Sequence, residues 1–176
     1  LKIGVISDSH KKIGRAKKGI DFLINEGANY IIHSGDIVQI EVLEYLKVLS
    51  IPYLAVYGNN DKHLIEFHDN FNLVQEPYYF QIRDIKLKLM HHPYFMTPDV
   101  DILIYGHTHI AHSQMSGGTL FINSGEICAR DHPFSKVAMI NIKENEFIVD
   151  IYQREIKQTE WISKQTIYDK VEGKIK

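Results

Sequence analysis

The chain carries ten histidines in 176 residues, and several stand at the ends of apolar runs instead of on polar faces. Histidine is the commonest metal ligand and a frequent acid or base, so its placement bears on chemistry. Five apolar runs end in Asp, Asn or His: "VISDSH", "IIHSGD", "LAVYGNN", "LKLMHH" and "LIYGHTH". These ends supply Asp8, His10, Asp36, Asn59, His91 or His92, His107 and His109. Carboxylates, an amide oxygen and imidazoles form a mixed ligand set suited to borderline divalent ions such as Mn, Fe or Zn. The set is larger than one tetrahedral zinc requires, and two ions sharing a bridging carboxylate fit the count better. Each element alone is ordinary. "GD" after a strand is commonly a turn with an Asp helix cap, and "GNN" is a turn by default. "GHTH" says more, because i, i+2 spacing lets His107 and His109 face one way from an extended segment. It is their order, each at the end of an apolar run, that points to one site.

The elements that must position these residues are legible from periodicity. "LKIGVIS" is rich in β-branched residues and predicts a buried strand. Ile13, Ala16, Ile20, Leu23 and Ile24 recur at helical spacing, and Gly27 follows as a stop signal, predicting a helix over 13–26. "NYIIHSGD" predicts a second strand, 38–49 a second helix, "IPYLAVYGNN" a third strand, and 61–70 a short third helix. Repeated strand–helix–strand units imply parallel strands with right-handed crossovers. In open α/β sheets ligands bind beyond the carboxyl ends of the strands, which is where the candidate residues fall. Beyond residue 77 the pattern is strand-dominated, with hairpins predicted for "YYFQI"/"IKLKLM", "HSQMSGGTLFINSG" and "KVAMINI"/"EFIVDIYQ". "DILIYGH" is a further buried run.

Composition bounds the function classes. The length suits a single domain with a real core, and 44% hydrophobic with 24% charged residues is ordinary for a globular protein. A formal charge of −2 argues against a large nucleic-acid footprint. The single cysteine, Cys128, excludes an intramolecular disulfide and suits a reducing compartment. No apolar run approaches the roughly 18 residues of a membrane span, and "LKIGVISDSH" reads as a buried strand, not as a signal peptide. A soluble, cytoplasmic protein is expected.

The ordered blocks resemble those of the calcineurin-like metallophosphoesterases: Asp8-Ser9-His10, Gly35-Asp36, Gly58-Asn59-Asn60-Asp61, His91-His92 and Gly106-His107-Thr108-His109. The compact length, the "ISDSH" opening and "INSG" near Asn123 look most like the small bacterial and archaeal phosphodiesterase branch. The resemblance implies a four-layer αββα sandwich of two mixed β-sheets flanked by helices, with residues 1–153 as the catalytic domain. It implies a dinuclear site that hydrolyses phosphodiesters by attack of a metal-activated water, the ions being two divalent metals, Mn before Fe, Zn or Ni. Carried over residue by residue, Asp8, His10 and His109 hold one ion; Asn59, His107 and His91 (or His92) the other; Asp36 bridges. Asn60 stands where many relatives have a histidine that contacts substrate phosphate and protonates the leaving group, so Asn60, His10 and Asp36 are the expected catalytic residues. An amide cannot act as a general acid. The expected partner is a small phosphoester, with no membrane and no long nucleic acid. The alternative is a protein-interaction scaffold, because the superfamily includes a retromer subunit with an eroded site.

The other polar residues read as structural. His33 is expected in the core or behind the ligands, His63 and His68 on a solvated helix face, His112 on a strand surface, and Lys11 and Arg130 as surface charges. In the extension 154–176, Trp161, Tyr168, Val171 and Ile175 are spaced to line one helix face, which would pack on the same domain or at a homo-oligomer contact.

Overall fold

A computed structural model describes residues 1–170. The first half alternates as expected: β1 (Lys2–Ile6), α1 (Ile13–Asn25), β2 (Tyr30–His33), α2 (Ile40–Val48) and β3 (Tyr53–Val56). A 3₁₀ helix over Lys62–Asn70 and the short β4 (Leu73–Val74) follow. The second half holds β5 (Tyr78–Ile82), β6 (Ile85–Leu89), β7 (Ile102–Tyr105), β8 (His112–Ser116) and β9 (Thr119–Asn123). It ends with β10 (Phe134–Ile142), β11 (Glu146–Glu155) and β12 (Ile162–Asp169). The helix α1 forms because Ala16, Gly19, Ile20 and Leu23 make one buried stripe.

The strands make two mixed sheets. One runs β12-β11-β10-β1-β2-β3-β4, the other β5-β6-β7-β9-β8. The strands β1 to β4 are parallel to one another, as are β6, β7 and β9. All three predicted hairpins form as antiparallel pairs, β5–β6, β8–β9 and β10–β11. Alternation along the strands sends Ile3, Val5 and Val56 from the first sheet against Leu87, Ile104 and Ile122 from the second. Each such side chain, fully removed from water, contributes about 1.5–3 kcal/mol. A second core lies under α1, α2 and the 3₁₀ helix, on the outer face of the larger sheet. The outer face of the smaller sheet is covered by the segment carrying Met96 and Val100, which packs on Met90, Leu103, Tyr105 and Phe121.

The tail departs from the helix reading. Residues 162–169 are a strand that pairs antiparallel with β11 over eight positions. Trp161 joins the core under α1, stacked on Phe22 at 4.7 Å, whereas Tyr168 is buried between the two sheets. Seven residues apart, they face one side of a helix but opposite sides of an extended chain. Pairing with an available edge strand outweighed the helical spacing. Val171 and Ile175 lie outside the described residues.

Candidate metal centre

The parallel strands β1, β2 and β3 of the larger sheet and β6 and β7 of the smaller end at one edge of the sandwich, and the residues just past those ends meet there. Asp8 and His10 follow β1, Asp36 follows β2, Asn59 follows β3, His91 follows β6, and His107 and His109 follow β7. Their backbones are unusual. Asp8, His10, Asp36, His107 and His109 all have left-handed φ, between 43° and 66°. For a residue with a side chain this conformation costs roughly 1–2 kcal/mol, and such strain gathers where a turn must aim a functional group. Close backbone approach adds a further constraint. A Cβ at Gly58 would collide with the backbone nitrogen and Oδ1 of Asp36, and one at Gly35 with the His91 ring.

Three interlocking groups offer ligand atoms within 4.8 Å of one another: Asp8, His10 and His109; Asp8, Asp36 and His91; and His91, His92 and His107. Asp36 stands between the outer two, with Oδ2 3.7 Å from His10 Nε2 and Oδ1 3.6 Å from His91 Nε2. Asn59 Oδ1 lies 3.1 Å from both His91 Nε2 and His107 Nδ1. One buried oxygen, Asp8 Oδ1, has no hydrogen-bond partner among the described residues, although His109 Nε2 stands 3.2 Å away. An orphaned buried carboxylate oxygen beside the imidazole nitrogen of His109 is what a divalent cation would satisfy, and an amide oxygen between His91 and His107 is a second such donor group. The donor set therefore fits the two ions that the resemblance implies.

Neighbouring groups fix the imidazoles. His91 donates Nδ1–H to the Ser34 carbonyl at 2.9 Å, which leaves its Nε2 facing Asn59 and Asp36. His109 donates Nδ1–H to Glu126 at 3.0 Å, which turns its Nε2 toward Asp8. Such partners set the tautomer and raise ligand basicity. Burial works to raise the Asp8 pKa, but the neighbouring His109 imidazole and the Ser7 hydroxyl outweigh it and hold the carboxyl below its usual range. Burial opposes the charged form of His109 too, yet Asp8 and Glu126 raise its pKa. Burial lowers the pKa of both His10 and His107.

His92 sits at the rim, its Nδ1 bonded to Glu76 at 2.6 Å and its ring stacked on Tyr94. Of the two adjacent histidines, His91 is the buried one that meets Asn59. Asn60 turns inward: its backbone N–H and its Nδ2 donate to the two oxygens of Asp36 at 2.9 and 2.7 Å.

His33, His63, His68 and His112 stand where expected. His33 is fully buried against Ser9, and burial pushes its pKa down to about 3. His63, His68 and His112 are exposed. Arg130 is not a simple surface charge, because its guanidinium donates to Nε2 of His10 and of His109 at 3.3 and 3.4 Å. The sequence reading also missed Glu126, which accepts from His109, from the Cys128 thiol, and from the backbone N–H groups of Arg130, Asp131 and His132. Its signal was a lone carboxylate inside the small and apolar stretch "SGEICA". Cys128 makes a fourth cluster with His109 and Glu126, but burial pushes its thiol up to about 12, so it stays a protonated donor. Asp61, read in the sequence only as the last residue of the "GNND" block, ties the turn after β3 to the one after β2 by accepting from Ile37, Val38 and Gly58.

This arrangement can be compared with known proteins. The calcineurin-like phosphoesterase superfamily domain matches residues 1–145. The chain belongs to that superfamily. It is 26% identical over 160 residues to a phosphodiesterase of Methanocaldococcus jannaschii, a match covering 84% of this chain and 96% of the relative. It is 30% identical over 154 residues to a probable metallophosphoesterase of the same organism, covering 82% and 77%. Among solved structures, Vacuolar Protein Sorting 29 of Cryptosporidium parvum superposes with a TM-score of 0.76 at 20% identity, covering 96% of this chain and 97% of that one. At that identity the likeness is one of fold. As for membranes, no helix among the described residues is long and apolar enough to cross one.

Proposed function

We propose that this phosphoesterase-family chain is a dinuclear-metal-dependent phosphodiesterase acting on small phosphoesters. The observation that carries the reading is Asp36, with one oxygen toward His10 and the other toward His91, between two donor groups. Asp8, His10 and His109 would hold one ion, and Asn59, His91 and His107 the other, Mn before Fe, Zn or Ni. Two divalent ions supply Lewis acidity to a phosphoryl oxygen and lower the pKa of a water.

The chain's own residues do the rest. Glu126 and the Ser34 carbonyl keep His109 Nε2 and His91 Nε2 turned inward. Asn60 locks the Asp36 carboxylate through two N–H donors. Arg130, which reaches His10 and His109, would give up those nitrogens to the ion and offer its positive charge at the mouth of the site, where a phosphoester must approach. Because the Asn60 amide is committed to Asp36 and has no proton to give, His92 is the imidazole at the rim placed to serve the leaving group.

The test is metal stripping and restoration with bis-p-nitrophenyl phosphate as substrate. Activity should vanish in chelator and return with Mn²⁺ at two ions per chain. Full activity in chelator overturns the reading. Metal-replete protein that hydrolyses no phosphoester but keeps a stable protein partner would establish the scaffold alternative instead.

A further inference from the structure

Three buried side-chain polar atoms lack a hydrogen-bond partner among the described residues: Asp8 Oδ1, Ser135 Oγ and Arg154 Nε. The first belongs to the metal centre. The other two face each other across the β10–β11 ladder, where Ser135 is in register with Arg154. They lie on the sheet face that packs under α1, two residues beyond the pair formed by buried Val137 and half-buried Tyr152.

On the Arg154 side of this pair lies a separate cavity of about 430 Å³. Lys11, Lys12, Arg15, Lys18 and Arg154 line it, with Gly14 and two isoleucines, and no carboxylate takes part. The cavity opens at the N-terminus of α1, a 13-residue helix without a side-chain cap and with no acidic residue in its first turn. The N–H groups of Ile13 and Gly14 have no partner among the described residues, and the Gly14 Cβ position opens on free space. Arg154 is 5% exposed, donates Nη1–H only to the Gln158 carbonyl, and lies 5.3 Å from the Trp161 ring. Burial and the Arg15 charge both press on its protonated form. A chain of net charge −2 thus gathers five cations around one cavity, with no anion to balance them.

We propose that this cavity is a second anion site, built for a phosphate group and separate from the metal centre. Unpaired N–H groups, the positive end of the helix dipole and two guanidinium groups recognise a tetrahedral dianion. A buried guanidinium with an unsatisfied N–H costs stability until an acceptor reaches it. The volume exceeds what one phosphate fills, so either the free anion or a small organic phosphate can enter. The site touches the metal centre through the chain itself, since Lys11 follows His10 and Arg15 donates to the Cys128 carbonyl.

Trp161 is the only tryptophan and packs on Arg154, so its emission reports on this cavity. Inorganic phosphate, pyrophosphate and adenosine 5′-monophosphate are titrated into the full chain at constant ionic strength. A saturable change in Trp161 fluorescence is expected, with its midpoint kept in Asp8→Asn. In the exposed-residue variant Lys12→Gln/Lys18→Gln the midpoint should rise at least tenfold, and in folded Arg154→Met the change should vanish. A tighter midpoint for the nucleotide assigns an organic phosphate, and equal midpoints assign the free anion. The proposal is overturned by the absence of a saturable change, or by an equal change with sodium chloride. It is also overturned if the change is lost in Asp8→Asn and kept in Lys12→Gln/Lys18→Gln.

Discussion

His109 and Glu126 meet at 3.0 Å, Nδ1–H to carboxylate, and the same carboxylate gathers three successive backbone N–H groups from residues 130 to 132. Glu126 therefore aims a ring without standing among the donor atoms that face Asp8. Glu126→Gln keeps the volume but removes the charge that raises His109 basicity. Mn²⁺ affinity, read by calorimetric titration, should fall about 10–100-fold. An unchanged affinity would mean that His109 is aimed by Asp131, whose carboxylate also reaches its Nδ1 at 3.0 Å.

Gly58 lies so close to Asp36 that even a methyl group has nowhere to go. Gly58→Ala must push the turn after β3 away from the turn after β2, at a cost of about 1–3 kcal/mol for overpacking. Metal content and diesterase rate should drop together, by far more than this loss of stability implies. Gly14→Ala, which meets nothing within 4 Å, should leave both unchanged and shift stability by no more than about 1 kcal/mol.

Asn60 cannot protonate a leaving group, so rates should depend steeply on leaving-group pKa. The measurement is a series of aryl and alkyl phosphodiesters. Asn60→His should flatten that dependence and speed the poorest leaving groups, within the range of about 10²–10⁴-fold typical of a general acid. His92→Gln should steepen it while leaving activated aryl esters nearly unaffected. Parallel slopes in all three proteins would remove His92 and position 60 from the proton transfer.

Lys88 anchors the segment that covers the smaller sheet. Its buried Nζ donates to the carbonyls of Phe95 and Thr97, to Thr97 Oγ1 and to Asp99 at 2.5 Å. Burial works to raise the Asp99 pKa, but Lys88, together with hydrogen bonds from Tyr79 and Thr97, outweighs it and holds the carboxyl below its ordinary value. A carboxyl depressed in the folded state contributes stability above its unfolded pKa of about 3.9, and that share is lost as pH falls through the folded value. Lys88→Met should therefore lose less thermal stability than wild type on acidification from about pH 6 to pH 3. Hydrogen exchange of residues 93–100 should quicken in the same variant. Identical acid limbs would show that the pair adds nothing in water, as exposed pairs often do not.

The candidate site was legible in the sequence to the extent that it is local. Asp8, Asp36, Asn59 and the histidines of "GHTH" sit just past apolar runs, and a short continuous apolar run followed by a turn declares a strand end without any knowledge of its neighbours. The three hairpins were legible for the same reason. What the sequence could not show are relations across the sandwich. Asn60 is turned onto Asp36 across 24 residues, and the Ser34 carbonyl sets the His91 tautomer across 57. Arg130 is brought to His10 across 120 residues. The left-handed backbone at five candidate ligands is likewise not fixed by residue type, because Asp and His tolerate it better than most side chains yet adopt it at only a small fraction of positions.

The tail states the division most plainly. Its apolar spacing fits a helix, and only the free edge of β11 makes it a strand, sending Trp161 beneath α1 and Tyr168 between the sheets. By itself the sequence determined which ligand types the chain carries, in what order, and that they lie at strand ends, because turn chemistry and strand periodicity are short-range. Tertiary structure decided which atom of each side chain faces inward and what holds it there. Those choices depend on hydrogen-bond partners and collisions supplied by distant segments.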